Sequence, residues 1–342
     1  MGVRSIMEGY VKPSVKAIGK LTGFSPATVS NALNNKRGVK KETSCRIFEV
    51  AKQLGYINSF DANRIRFIIY RLPGSDFTES PTLPRVIRGA KNVCDKAGFE
   101  IAVTYLNIRS ISYKHELDDI LKDRAHGVVI MGSEVEESEI DKFKEANLPL
   151  VLIDFWSSDM ELECLVNNGK DSVRQIVEYL LRKGHTKIGY LRAEIRSYPF
   201  REREQSLREN LLKSGFPLSE KYICTVGVCT DSSYESMKQW LAANPELPTA
   251  FFADNDIIAM GTIRAMKEAG IRLPKDVSIV GFDDIPMSEL ITPRLTTIRT
   301  NTELLGEIAA DKIISAIKDP FRAKSKIILA TTFVERDSVE FN

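Results

Sequence analysis

From residue 66 to residue 282, short apolar runs and amphipathic stretches take turns, and this alternation constrains the fold more than anything else in the 342-residue chain. RFIIY (66–70), FEIAVTYL (99–106), GVVIM (127–131) and LPLVLID (148–154) read as strands. Helices over about 84–97, 112–122 and 136–146 separate them. The beat resumes with strands at 187–191, 222–226, 249–253 and 277–282, and helices at 170–183, 201–214, 232–243 and 255–269. Apolar runs linked by amphipathic helices belong to doubly covered parallel sheets with right-handed crossovers. So many strands overfill one open sheet. The polar break near 155–168 (WSSDMELECLVNN) therefore predicts two α/β lobes. After a non-helical stretch, Pro286–Pro293, come LTTIRTN, a helix at 302–318 and one last strand, SKIILATTFVERDSV. The economical path sends the chain back to the first lobe for that helix and to the second for that strand. Ligands in such sheets bind outside the carboxyl ends of the strands. Two facing lobes thus predict a cleft that a hinge can close.

Ahead of this body lies a different pattern. SVKAIGKLTGFSPATVSNALN (14–34) reads as two short helices around a tight turn. Ser14 can cap the first, with Val15, Ile18 and Leu21 inward. Ser25 followed by Pro26 starts the second, because serine accepts an orphan amide proton and proline lacks one. Val29 and Leu33 continue its apolar side. A third amphipathic helix spans 41–54, with Ile47, Val50, Ala51 and Leu54 inward. Two helices set by a Gly-containing turn form a helix-turn-helix, whose second helix fits the DNA major groove. An ordinary helical hairpin is the competing reading, and charge weighs against it. Residues 1–66 hold 12 Lys/Arg and 4 Asp/Glu, whereas the whole chain carries only +2. A basic head on a mildly acidic body suits phosphate neutralisation and predicts salt-sensitive binding.

The remaining chemistry excludes more than it proposes. The five cysteines lie scattered without CxxC spacing and read as reduced structural thiols. His115, His126 and His185 are far apart, which argues against a metal site. Dinucleotide, nucleotide-triphosphate and nucleophile-elbow motifs are missing, so no cofactor is expected and the chain reads as a non-enzyme. No membrane-spanning run or signal-peptide core occurs, so a cytoplasmic location and no membrane partner are expected. Polar residues follow several strands: Asp154, Asn255-Asp256 and Asp283-Asp284. Carboxylates, amides and arginines are the groups that hold polyol hydroxyls. Trp156, Tyr198 and Phe200 could supply an apolar face for a sugar ring. Each such Asp or Asn could instead only cap the next helix.

With these motifs in place, the chain resembles bacterial repressors of the lactose-repressor family, a helix-turn-helix head on a core like the periplasmic sugar-binding proteins. The resemblance rests on the head motif, LGY (54–56), LLRKGHTKIGYL (180–191), RxxSL (203–207), ADNDIIAMG (253–261), LPKDVSIVGFDD (273–284), PRLTTIR (293–299) and ILATTFVERDSV (328–339), in that order. It implies a helix-turn-helix domain over 1–56, a short tether over 57–66, and an effector-binding and dimerisation core over 67–342. Within the core it implies an N-lobe of about 67–162 plus 297–323 and a C-lobe of about 163–294 plus 325–342. Pro26 and Ala27 match positions that read base edges, joined by Thr28, Ser30 and Asn31. Ala27 suits a thymine methyl and Asn31 an adenine. Ser25, Thr28, Ser30, Asn34, Thr43 and Tyr56 match phosphate contacts. Asp154, Arg203, Asn255 and Asp283 match effector contacts, with Arg196 and Phe200 as weaker candidates beside them. The expected partners are operator DNA, a second copy of the chain, and a small effector. A sugar leads, with a nucleobase or phosphorylated metabolite as alternatives. A solute receptor or a two-lobed enzyme is the distant rival.

The chain departs from the family pattern in two places. Ala17 and Gly19 replace an acidic residue and an alanine in the first helix, which weakens its intrinsic propensity. The tether INSFDANRIR lacks the usual proline and leucine wedge for the minor groove. Phe60 or Ile65 could improvise a wedge, or the tether could be plain.

Overall fold

The computed structural model describes residues 14–33, 38–54, 56, 63–71, 82–123, 126–146, 148–319 and 322–342. Asn34, Phe60 and the tether residues 57–62 lie outside the described residues.

The head contains α1 (Val15–Thr22), α2 (Pro26–Leu33) and α3 (Lys41–Gln53). Ser14 caps α1 by accepting from Ala17 N at 3.1 Å, and Gly23 ends it with φ 79°. Ile18, Val29, Ala32, Ile47 and Ala51 are buried together, edged by Val15, Phe24, Leu33, Val39, Val50 and Leu54. Leu21 does not join them. It is 42% exposed, and Thr22 is buried in its place with its hydroxyl bonded to the Ile18 carbonyl at 2.8 Å. The glycine at position 19 has a steric reason: an added Cβ would lie 2.8 Å from the Phe24 carbonyl oxygen, where the turn passes over α1. Close approach, not propensity, decides that residue.

Two parallel sheets follow. The first lobe orders β11-β5-β4-β3-β1-β2, built from β1 (Arg64–Arg71), β2 (Glu100–Asn107), β3 (His126–Met131), β4 (Leu150–Ile153), β5 (Glu163–Asn167) and β11 (Lys326–Leu329). Its helices are α4 (Thr82–Ala97), α5 (Tyr113–Lys122), α6 (Glu137–Glu145) and α11 (Thr302–Lys318). The second lobe orders β7-β6-β8-β9, from β6 (Ile188–Ala193), β7 (Ile223–Val226), β8 (Ala250–Ala253) and β9 (Ser278–Val280). There α7 (Gly169–Arg182), α8 (Tyr198–Lys213), α9 (Thr230–Ala242) and α10 (Asp256–Glu268) cover the sheet. β10 (Thr297–Arg299) and β12 (Thr332–Val334) form an antiparallel pair. Single parallel bridges, Val280 to Thr296 and Asp283 to Arg299, set that pair beside β9.

Three sequence expectations need correction. The lobe boundary falls after Asn167, not at 162–163, because β5 pairs with β4 and β11 inside the first sheet. ECLVN does not look like a buried strand because it opens with a carboxylate. Glu163 is nevertheless 1% exposed, paired with Arg322 and accepting from the Ser325 hydroxyl at 3.2 Å. The terminal segment is also two strands, not one. β11 stays in the first lobe and β12 goes to the pair beside the second, while Ser338 then runs along β9, its carbonyl accepting from Ile279 N at 2.9 Å. Finally, residues 64–66 of the expected tether already belong to β1, so Ile65 is 0% exposed between Ile101 and Gly127 and is unavailable as a wedge.

The chain therefore crosses between lobes three times, near Asn168, Asn301 and Ala330. The crossings are tied together: Asn168 N donates to the Leu329 carbonyl and Asn301 Nδ2 to the Ala330 carbonyl, both at 2.8 Å. The hydroxyls of Ser172 and Thr331 lie 2.6 Å apart.

Candidate functional site

Beside these crossings a cavity opens between the lobes, enclosing about 150 Å³. β1 and β4 bring Tyr70 and Asp154 from one side. α8, α10 and the segment after β9 bring Phe200, Glu202, Arg203, Asn255 and Asp283 from the other. The lobes touch at its rim, where Tyr198 N donates to the Ser133 carbonyl at 3.1 Å and the Phe155 and Tyr198 rings stand 6.1 Å apart.

Five of the six sequence-predicted effector residues line this cavity: Asp154, Phe200, Arg203, Asn255 and Asp283. Arg203 is 7% exposed, with its guanidinium 3.6 Å over the Phe282 ring. Nη1 donates to the Asp254 carbonyl and Nη2 faces Asp283 Oδ1 at 3.7 Å. Asn255 caps α10 by accepting from Ile258 N at 2.9 Å, so the capping and lining roles coincide. Asp154 and Asp283 both sit at positive φ, 55° and 112°. Such strain in non-glycine residues clusters at functional sites. Burial pushes both carboxyls up to about 6, opposed in each case by Arg203. Removing a carboxylate from water favours its neutral form, and a nearby guanidinium recovers only part of that.

Arg196 is the exception. Its Nη1 bonds Asp254 Oδ2 at 2.6 Å, and its Nη2 bonds the Phe200 carbonyl at 2.6 Å and faces Glu204 Oε2 at 3.0 Å. Tyr190 and Ala193 N complete the ring of donors around Asp254, which is 0% exposed. A buried carboxylate demands such a partner, so Arg196 braces the wall behind the cavity and is not part of the lining. Trp156 is also elsewhere, under Lys326. Asp256 accepts from Thr297, Ser288 and Ile285 N at 2.6–3.0 Å and pins the segment after β9. Asp284 is taken by Arg299 and Arg336.

Sequence reading missed Tyr70, Asn167, Glu202 and Thr302, all of them lining residues. Asn167 lay in the strand taken for a polar break, and Glu202 directly precedes the predicted Arg203. Two of these residues and the predicted Arg203 share a property with ligand meaning. Arg203 Nε, Asn167 Oδ1 and Thr302 Oγ1 are buried without a hydrogen-bond partner among the described residues. Buried polar atoms are normally paired.

In the head, Ser25, Pro26 and Ala27 are exposed, while Thr28, Ser30, Asn31 and Thr43 are half-buried. Ser25 Oγ accepts from Thr28 N at 3.1 Å and lies 2.9 Å from the Thr28 hydroxyl. Tyr56 is 38% exposed just past α3. Among the described residues, no three His, Cys, Asp or Glu side chains could hold a metal, and no helix is long and apolar enough to cross a membrane.

Comparison with known proteins adds the lineage. Residues 14–59 match the model for bacterial regulatory proteins, lacI family, and residues 177–339 match a periplasmic binding protein-like domain. The chain is 30% identical over 334 residues to the "Probable HTH-type transcriptional repressor ExuR" of Bacillus subtilis (strain 168), covering 95% of this chain and 98% of that protein. It is 28% identical over 330 residues to the HTH-type transcriptional repressor PurR of Mannheimia succiniciproducens, covering 96% and 98%. Among solved structures, the transcriptional regulator CelR–cellobiose complex superposes with a TM-score of 0.74 at 22% identity, over 96% of this chain and all of that one. The lac repressor dimer bound to operator and the anti-inducer ONPF gives 0.70 at 22%, over 96% and 99%. The two structures establish the architecture. The head motif and the full-length relative establish descent: the chain belongs to the lacI family of bacterial regulatory proteins.

Proposed function

We propose that the chain is a homodimeric, cytoplasmic transcription repressor whose operator affinity responds to a polyhydroxylated small molecule, a sugar foremost, bound in the interlobe cavity. One observation carries the reading: polar groups from both lobes converge, unpaired, on a single enclosed space. A ligand rich in hydroxyls supplies donors to Asp154, Asp283 and Asn167 and acceptors to Arg203 Nε and Thr302. Phe200 and Tyr198 offer ring faces to its apolar side. An engineered cavity of similar size holds a benzene ring, so the space suits one six-membered ring. A nucleobase fits less well, because the lining is dominated by carboxylates that suit many hydroxyl donors.

The cavity would bind its ligand without turning it over. His185 bonds Thr249 and the Glu340 carbonyl at 3.0 Å, away from the cavity, and His115 is on the surface of α5. Among the described side chains, no imidazole stands beside the lining hydroxyls of Ser133, Ser197 and Thr302. Signal transfer has a short route. β1 begins at Arg64, next to the tether, and reaches the cavity at Ile69 and Tyr70. A ligand that favours one lobe arrangement shifts the start of β1 in each protomer, and with it the spacing of two heads on a two-fold site. Linkage is reciprocal, so DNA must change ligand affinity by the factor by which ligand changes DNA affinity.

The test selects operator duplexes from a random pool and then titrates the best with and without sugars. A sugar that binds the protein and changes operator affinity fivefold or more supports the reading, at the low end of ordinary couplings. Sugar binding with operator affinity unchanged across the panel overturns it.

A further inference from the structure

We propose, resting on the cavity reading above, that this site selects its effector by charge. It takes an uncharged or amine-bearing polyhydroxylated ring and rejects the matching carboxylate or phosphate, with Glu202 as the residue that sets the discrimination. Among the described side chains, the charged residues of the lining are Glu134, Asp154, Glu202, Asp283 and a single cation, Arg203. Arg203 is already committed. Nη1 holds the Asp254 carbonyl, Nη2 faces Asp283, and the flat face lies on Phe282, so Nε is the buried nitrogen left without a partner. One N–H suffices for a hydroxyl. The two-pronged grip that arginine takes on a carboxylate or phosphate would need Nη2 as well, which lies 3.7 Å from the Asp283 carboxylate, so a gripped anion would sit against Asp283.

Among the described side chains no second cation lines the cavity, and Arg85, which pulls the Asp283 carboxyl down, stands outside the lining. Arg196 is consumed by Asp254 and Glu204, and Lys170 is exposed outside the lining. Glu202 differs from its neighbours in the lining. It is half-buried, with no hydrogen bond or ion pair among the described residues. Its Oε2 reaches so close to Gly169 that a Cβ there would come within 2.5 Å, so the missing side chain at the start of α7 is what gives the carboxylate its place. Burial pushes its pKa up, while Arg203 and Lys170 pull it down. An unpaired, half-buried carboxylate at the cavity repels an incoming anion more strongly than one in bulk water would. The same carboxylate attracts an ammonium or accepts from a hydroxyl.

The experiment uses the full-length protein and matched rings: glucose, glucosamine, glucuronate and glucose 6-phosphate, with the galactose set in parallel, read by calorimetry and thermal shift. In the series that binds, the uronate and phosphate should bind at least about tenfold more weakly than the neutral or amine form. Glu202→Gln should narrow that ratio. Glu204→Gln, whose carboxylate faces Arg196 and Arg208 outside the cavity, should leave the ratio unchanged. A uronate or phosphate that binds as well as its neutral counterpart overturns the proposal, and so does a ratio that survives Glu202→Gln in a variant with wild-type melting temperature. Failure of the underlying reading looks different: no ring in any charge state binds, or Arg203→Ala binds every ring as the wild type does.

Discussion

The head and the interlobe cavity both offer polar groups to a ligand, yet they hold those groups in opposite states. In the head the candidate contacts are at the surface and partly satisfied within the chain: Ser25 and Thr28 hydrogen-bond each other before any DNA arrives. In the cavity they are buried and unsatisfied, as with Arg203 Nε, Asn167 Oδ1 and Thr302 Oγ1. Water serves the exposed groups almost as well as a phosphate does, so affinity there must come from summed charge and counterion release. Buried groups have no such substitute, and each one lost or mismatched costs its full desolvation. The head is therefore built for many weak contacts and the cavity for a few decisive ones.

The largest expected effect breaks the cavity half of this contrast. Arg203→Ala removes the one lining cation among the described side chains and leaves Asp154 and Asp283 facing each other, with only the more distant Arg85 to relieve Asp283. Sugar affinity should fall on the order of 100-fold or more, about 3 kcal/mol, the range for breaking a buried charged contact. Calorimetry on the wild type and variant reads it directly; a loss under fivefold would mean the cavity is not decided by few contacts. Next comes the head. Ile18→Ala empties the centre of a core that has five buried hydrophobic residues among those described, and should cost about 3 kcal/mol. So small a domain cannot absorb that. DNA binding by mobility shift should vanish while the sugar-induced rise in melting temperature persists.

What sequence could reveal divides along the same line. The head was legible because capping and turn chemistry are local: Ser14, Gly23 and the Ser25-Pro26 start are all where the sequence put them. The α/β alternation was equally plain, since a helix such as α7 or α10 carries its own period. Long-range pairing was hidden. Nothing in ECLVN announces a strand, because the partner that makes Glu163 tolerable in a sheet, Arg322, is 159 residues away. The lobe boundary and the split of the last strand were misplaced for that reason. In the cavity, five effector positions followed from strand-end logic and family motifs, but Arg196 did not. Its fate depends on Asp254, which strand-end logic passed over in favour of its neighbours. Which of two adjacent polar residues faces a cavity is set by packing, not by spacing.

Titration sharpens the contrast by a smaller margin. Asp154 and Asp283 sit at about 6, raised by burial against the pull of Arg203, with Glu202 beside the first and Arg85 beside the second. Asp256, raised to about 7, adds its charge near Asp283. The raised values mean both lining carboxyls are ionised at pH 7.5 and largely protonated at pH 5. Ligand hydroxyls donate to the ionised form, so binding must lower these pKa values and release protons near pH 6. Sugar affinity should therefore weaken as pH falls from 7.5 to 5, by up to about tenfold for each carboxyl whose pKa the ligand shifts by one unit. Calorimetry in buffers of different ionisation enthalpy counts the protons; flat affinity across that window would show that the acceptors are not these carboxylates.

The smallest effect tests whether the self-satisfied state of the head matters for DNA. Ser25 holds the Thr28 amide, so Ser25→Ala should lower head stability by about 1 kcal/mol, the ordinary worth of a helix cap. That loss alone cannot tell a cap from a phosphate contact. Ser25→Asp separates them: aspartate caps a helix as well as serine does and favours the positive end of the dipole, so stability should return to the wild-type level. Yet it places a negative charge where the phosphate is expected, and operator affinity should drop several-fold, with the drop shrinking as salt screens the repulsion. If Ser25→Asp binds operator as tightly as wild type at low salt, Ser25 only caps α2. The backbone contacts must then come from elsewhere in the head, with Thr43 and Tyr56 the next positions to change.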